Sequence, residues 1–267
     1  MTIFSKDALK GQHIIITGAT GGIGWETAKA CAAAGANITI TGRNEDKLVT
    51  LKGKCEELNS DISVHLFSAD LDTHEERESL LTGALDEIGP VTGLVNAAGI
   101  AGGGVLEELK ENELRRIMEL NFFSTVLFTQ LVYRNMLETN PEKGAIVNVS
   151  SLSGLRGTSG NSAYAGSKFA LIGFTQSLAV EAAERGIQVN AVCPGYVDTK
   201  MGRDSIARKG KKFGRSYEEQ LEKAEAGIPS GRISTPKEVA NTIVFLLTGA
   251  AENIIGEAVK ISGGNVL

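Results

Sequence analysis

The sequence predicts an α/β protein of one domain, built as a doubly wound, seven-stranded parallel sheet with helices on both faces. Three observations carry that prediction. Short apolar, β-branched runs recur seven times along 267 residues, helical patterns separate them, and the runs are apolar nearly throughout. Strands that alternate with helices form a parallel sheet because right-handed crossovers lay the helices on its faces. One large core suits this length, and no internal repeat, low-complexity tract or linker divides residues 1–267.

The first run, His13 to Thr17, leads into Thr17-Gly18-Ala19-Thr20-Gly21-Gly22-Ile23-Gly24 and a helical pattern over Ile23 to Ala34. A glycine-rich strand-to-helix turn lets backbone amides approach a pyrophosphate at the positive helix end and lets the helix pack closely on the sheet. Its spacing, Gly-x-x-x-Gly-x-Gly, departs from the commoner Gly-x-Gly-x-x-Gly. The second run, Asn37 to Thr41, ends on Gly42-Arg43-Asn44 ahead of a helix over Glu45 to Leu58. An acid there would bind the adenosine ribose of NAD. Arg43 instead suits a 2′-phosphate, through charge-assisted hydrogen bonds of about 1.5 to 3 kcal/mol each, so the cofactor expected is NADP(H).

The third run, Val64 to Ala69, closes on Asp70 and Leu71, and Asp70 is placed to meet the adenine edge. A helix over Glu75 to Ile88 follows. The fourth run, Gly93 to Ala97, closes on Asn96-Ala97-Ala98-Gly99. A helical pattern from Glu111 to Leu137 contains Asn121, and the fifth run is Ala145 to Ser150. A helix over Ala163 to Arg185, a run from Gln188 to Val192, a helix over Pro236 to Leu247 and a last run from Ala258 to Ile261 complete the alternation. The stretch from Lys200 to Gly227 is longer than a usual connection and carries an amphipathic segment near Tyr217 to Ala226, so residues 200–227 read as a substrate lid.

Tyr164 and Lys168 stand four residues apart, with Ser151 thirteen residues before the tyrosine. Positions i and i+4 share a helix face, so the lysine ammonium can approach the phenol and favour phenolate. A free tyrosine titrates near ~10, and a cation in a desolvated cleft is expected to lower that by a few units, giving a proton donor near neutrality.

With these residues in view, the chain resembles the short-chain dehydrogenase/reductase family from about Gly11 to Gly264, with a Rossmann-like fold. The motifs stand in family order: the Thr17 to Gly24 turn, Asp70, Asn96 to Gly99, Asn121, Ser151, Tyr164 with Lys168, and Pro194-Gly195. The resemblance implies that Tyr164 donates or accepts the proton, Lys168 tunes it and holds the nicotinamide ribose, Ser151 binds the substrate oxygen and Asn121 supports a proton relay through water. It also implies that Pro194, Gly195, Val197 and Thr199 border the nicotinamide carboxamide. Ala97 stands where many members have a second asparagine. In look the chain is similar above all to 3-oxoacyl-acyl-carrier-protein reductases and aromatic (type II) polyketide ketoreductases, through the Gly99 to Gly104 segment and the stretch from Val189 to Gly231.

The expected activity is therefore NADPH-dependent reduction of a 3-oxoacyl thioester or polyketide carbonyl. Two other readings keep their place: a dehydrogenase of a small alcohol, polyol or sugar, and a nucleotide-binding sensor without turnover. The net charge of -5 gives no global reason to expect nucleic acid. Six cations, Arg203, Arg208, Lys209, Lys211, Lys212 and Arg215, nevertheless crowd into the lid, a local patch suited to a phosphopantetheine arm, an acyl carrier protein or a coenzyme A phosphate. Arg185 matches a carrier-docking arginine of the fatty-acid ketoreductases. Cys31, Cys55 and Cys193 show neither a disulfide pattern nor metal-ligand spacing with His13, His65 and His74. No run has the ~20 apolar residues of a membrane span, and the expected location is cytoplasmic. The long apolar helices suggest a homo-oligomer, with a tetramer implied by the family.

Overall fold

In a computed structural model that describes residues 4–267, the first half of the chain runs β1 (His13–Thr17), α1 (Gly22–Ala33), β2 (Asn37–Gly42), α2 (Glu45–Leu58), β3 (Val64–Ser68), α3 (His74–Ile88) and β4 (Gly93–Asn96). The second half runs α4 (Glu111–Met118), α5 (Ser124–Thr139), β5 (Gly144–Val149), α6 (Ser162–Ala183), β6 (Ile187–Pro194), α7 (Lys200–Lys212), α8 (Tyr217–Ala226), α9 (Pro236–Leu247) and β7 (Ala258–Ile261). The seven strands form one sheet in the order β3-β2-β1-β4-β5-β6-β7, and every pairing is parallel. The order reverses between β1 and β4, and a crevice opens there at the carboxyl ends of the strands.

Alternation along β1 divides the core. Ile14 and Ile16 point to a layer with Ala28 and Cys31 of α1, Leu48 of α2 and Ile243 of α9, whereas Ile15 points to the opposite layer with Leu80 of α3, Phe128 and Val132 of α5 and Leu178 of α6. Because both layers are apolar, central strands show no alternation in sequence. His13 is buried and bonded through Nδ1 to the Gly89 carbonyl at 2.8 Å and through Nε2 to Thr39 Oγ1 at 2.9 Å, a structural role. The three cysteines are free and buried.

Two elements depart from the sequence-based expectation. The helix expected over Glu111 to Leu137 is interrupted by a π-helical segment, Glu119–Phe123, because Asn121 is drawn inward to hydrogen-bond the Ile100 backbone. The stretch after Lys200 holds two helices rather than one amphipathic segment. Thr199 caps α7 by accepting a bond from the Gly202 N–H at 3.1 Å, and Lys209, Lys211 and Lys212 lie favourably at its negative end. Few apolar residues mark that helix, so its period was hidden.

Candidate active site

The carboxyl ends of β4, β5 and β6 and Ile23 at the start of α1 meet around a cleft of about 580 Å³. At its cofactor end the β1–α1 turn is shaped for close approach. Gly18 has φ +63, and a Cβ on it would lie 2.6 Å from the Ala98 amide nitrogen. A Cβ on Gly24 would lie 2.3 Å from the Gly18 carbonyl oxygen. The turn therefore folds tightly against the end of β4, with Gly21 and Gly22 exposed at the start of α1. This cradle fits a pyrophosphate at a helix N-terminus. Thr17 is buried and braces it, since its Oγ1 accepts bonds from the Ala97 and Ala98 N–H groups at 3.2 and 3.3 Å.

Beside the turn, Arg43 is exposed at the end of β2, next to Asn44, whose side chain caps α2. Gly42 leaves no side chain there, and a Cβ on it would sit 2.9 Å from Thr20 Oγ1, so Thr20 guards the position against a larger residue. Asp70 is half-buried past β3. Its own N–H donates to the Glu76 carboxylate, its Oδ1 accepts from the Asp72 N–H at 3.3 Å, and the neighbouring Leu71 carbonyl accepts from the buried Arg77 at 2.5 Å. Asn96, expected against the cofactor, turns its side chain into the core. Its Nδ2 donates to Thr129 Oγ1 at 2.8 Å and to Asn148 Oδ1 at 2.9 Å, so the adjoining Ala97 and Gly99, rather than its amide, line the cleft.

Ser151, Tyr164 and Lys168 line the same cleft, with Ala97, Gly99, Pro194, Gly195, Val197, Thr199 and Ile23 around them. Ser151 follows β5, and its Oγ accepts the Ser153 N–H at 3.1 Å. Tyr164 and Lys168 occupy successive turns of α6 and face one way, as their spacing predicts. The Lys168 ammonium stands 5.8 Å from the centre of the Tyr164 ring but donates to the Val149 carbonyl at 2.8 Å.

This changes the expected electrostatics. Burial raises the Tyr164 pKa, against an opposing pull from the Ser151 hydroxyl, and burial holds Lys168 down at about 8. The expectation of a phenol acidified toward neutrality is corrected: desolvation outweighs the cation, which points at a backbone carbonyl and bears its own cost of burial. Tyr164 thus keeps its proton at neutral pH. Cys193, below this cluster on β6, is raised by burial to about 11.

Asn121 is completely buried, and its side chain is fully committed. Nδ2 donates to the Ile100 carbonyl and to Ser167 Oγ, both at 3.0 Å, and Oδ1 accepts the Ile100 N–H at 2.8 Å. It ties the loop after β4 to α6, one residue from Lys168. Lining residues that the sequence did not single out are Tyr196, whose phenol burial also raises, and Arg156, Thr158 and Asn161 from the loop before α6. Their only sequence signal was position, next to Pro194-Gly195 or between Ser151 and Tyr164.

The short chain dehydrogenase family model matches residues 12–210. The chain belongs to the short-chain dehydrogenase family. It is accordingly an oxidoreductase acting on a CH–OH/C=O pair with a nicotinamide cofactor. Among curated relatives, it is 33% identical over 256 residues to the 3-oxoacyl-acyl-carrier-protein reductase of Vibrio cholerae, covering 96% of this chain and 98% of that one. It is also 33% identical to the acetoacetyl-CoA reductase of an Acinetobacter strain, covering 94% of this chain and 96% of the relative. Among solved structures, actinorhodin polyketide ketoreductase with NADPH superposes with a TM-score of 0.91 at 32% identity, covering 98% and 99% of the two chains. Among the described residues of this short-chain dehydrogenase, no helix is long and apolar enough to cross a membrane.

Proposed function

We propose that the chain is an NADPH-dependent ketoreductase that reduces the carbonyl of a 3-oxoacyl thioester or polyketide to the alcohol, with Tyr164 as the general acid. The observation that carries this reading is the meeting of Ser151, Tyr164 and Lys168 in one cleft that Pro194, Gly195 and Ile23 of the glycine turn also line. When bound, the cofactor supplies the hydride. Thr17 to Gly24 would seat its pyrophosphate, Arg43 its 2′-phosphate, Asp70 and Leu71 its adenine, and Ala97, Gly99, Pro194, Gly195, Val197 and Thr199 its nicotinamide half.

The residues of this chain perform the remainder. Ser151 Oγ and the Tyr164 hydroxyl donate to the substrate oxygen and stabilise the negative charge that builds on it. A protonated phenol is the form that reduction requires, so the upward shift of Tyr164 suits that direction. Lys168 offers a nearby charge as the phenol gives up its proton and would hold the nicotinamide ribose. Asn121 fixes the Ile100 loop against α6, and with its side chain so engaged it would support a proton relay only through water held at backbone groups of the π-helical turn. Helices α7 and α8 would form the lid over the substrate. Exposed Phe123 and Leu127 at α5 and Phe169 and Val180 on α6 support homo-oligomer assembly through these helices.

The test is turnover of NADPH and NADH with acetoacetyl thioesters, a bicyclic ketone and a panel of sugars, comparing specificity constants. A preference for the 3-oxo thioester with NADPH is expected. Turnover confined to polyols or sugars would overturn the substrate reading, and no turnover of any carbonyl would overturn the enzymatic one.

A further inference from the structure

The cations around the cleft are arranged selectively. Lys200 pairs with Asp204 at 2.6 Å and Arg203 pairs with Asp198, and neither cation lines the cavity. Lys211 and Lys212 do not line it either. Arg208, Lys209 and Arg215 from the lid, Lys223 from α8 and Arg156 from the loop before α6 do, and among the described residues none of the five is in an ion pair. Among the described residues, no aspartate or glutamate lines the cleft.

Arg215 is the most strongly prepared of the five. It is half-buried, its Nη1 donates to Oε1 of the buried Gln220 at 3.1 Å, and its guanidinium lies 5.1 Å from the centre of the Phe213 ring. Gln220 and Phe213 are neutral, so they fix the orientation of the guanidinium without cancelling its charge. A solvated lid face would place its cations toward water beside the carboxylates of α7 and α8. Here the two ion-paired lid cations lie outside the cleft, whereas the five cations that line it carry no ion pair, around walls that concentrate their field.

We infer that the substrate carries its own oxyanion, a phosphate or a carboxylate, and that Arg215, Arg208 and Lys209 bind it while the ketone lies against Ser151 and Tyr164. This rests on the ketoreductase reading and adds to it a required charge. The anion has two possible positions on a 3-oxo thioester: a phosphate on the thiol arm or a carboxylate at the far end of the acyl chain. The same guanidinium chemistry would serve both.

Three substrates separate them: acetoacetyl-N-acetylcysteamine, which is neutral; acetoacetyl-4′-phosphopantetheine; and 3-oxoadipyl-N-acetylcysteamine. One anionic substrate is expected to exceed the neutral one in kcat/KM by at least about tenfold at low ionic strength, with the advantage shrinking in salt. Which one does so locates the anion. The double variant Arg208→Gln, Arg215→Gln should remove the preference, and Lys211→Gln should keep it. NADPH affinity of the double variant should stay within about twofold. Equal use of all three substrates by the unaltered enzyme, or a preference that survives the double substitution, would overturn the inference, as would a loss explained by weaker NADPH binding. If no thioester is reduced, the ketoreductase reading fails instead. Calorimetry with the three corresponding 3-hydroxy thioesters then still reads the anion preference, and equal binding of all three would overturn it.

Discussion

Replacing Lys168 with methionine should change how the stability of the cofactor-free protein depends on pH. Lys168 is only 4% exposed, and burial holds its pKa at about 8 against an ordinary 10.5. A group whose pKa is depressed on folding contributes its full stability above the unfolded value and loses it as pH falls through the folded one. The window therefore runs from about 10.5 down to about 8, and the folded chain carries a penalty of roughly 3 kcal/mol below it. Methionine keeps the apolar stem and removes the charge, but it orphans the Val149 carbonyl, a pH-independent loss of about 1 to 3 kcal/mol. The absolute difference at pH 7 is thus small, and its slope is decisive. In urea denaturation of both proteins at one concentration, the stability of wild type relative to Lys168→Met should rise by about 2 to 3 kcal/mol between pH 7 and pH 10. Tyr164, Cys31 and Cys55 also titrate differently on folding, but they are present in both proteins and cancel in the comparison, and Cys193, whose thiol Lys168 pulls down slightly, is held by burial at about 11, above this range. A difference that stays flat across this range would show that the buried ammonium carries no such penalty, and the electrostatic account of the site would fall with it.

Tyr164→Phe should lower ketone reduction by about two to four decades while NADPH still binds, as read by cofactor fluorescence; intact turnover would remove the general acid. In unaltered protein, reduction should hold steady between pH 6 and 8, whereas oxidation of the alcohol should climb with pH because it needs the phenolate that burial disfavours. For the cofactor, Gly42→Asp with Arg43→Ile should move preference toward NADH by one to two decades, measured as a ratio of specificity constants. Thr20→Ala belongs in the same variant, since Thr20 Oγ1 would lie 2.9 Å from the new Cβ, and unchanged selectivity would exclude Arg43. Asn96→Ala should cost about 1 to 3 kcal/mol in denaturant unfolding, because it orphans the buried Asn148 Oδ1 and removes the donor to Thr129 Oγ1, which keeps its own bond to the Thr125 carbonyl, and an unchanged midpoint would contradict the bracing role.

The sequence by itself determined whatever depends on neighbours along the chain. Apolar runs with helical patterns between them set the alternation and the seven strands, the Thr17 to Gly24 turn marked the nucleotide end, and i, i+4 spacing put Tyr164 and Lys168 on one helix face. Tertiary structure alone decided the strand order, which brings the ends of β4, β5 and β6 and the start of α1 to one cleft from positions far apart in sequence. It also decided charge. Proximity to Lys168 suggested an acidic phenol, but pKa follows solvent exposure and the direction in which an ammonium points, and neither is encoded in spacing. In the lid, six cations formed one undivided cluster in sequence, and only the fold paired Arg203 with Asp198 and turned Arg208, Lys209 and Arg215 toward the cleft. Local order along a chain can be read from its residues, whereas burial and long-range partnership exist only once distant segments have been packed together.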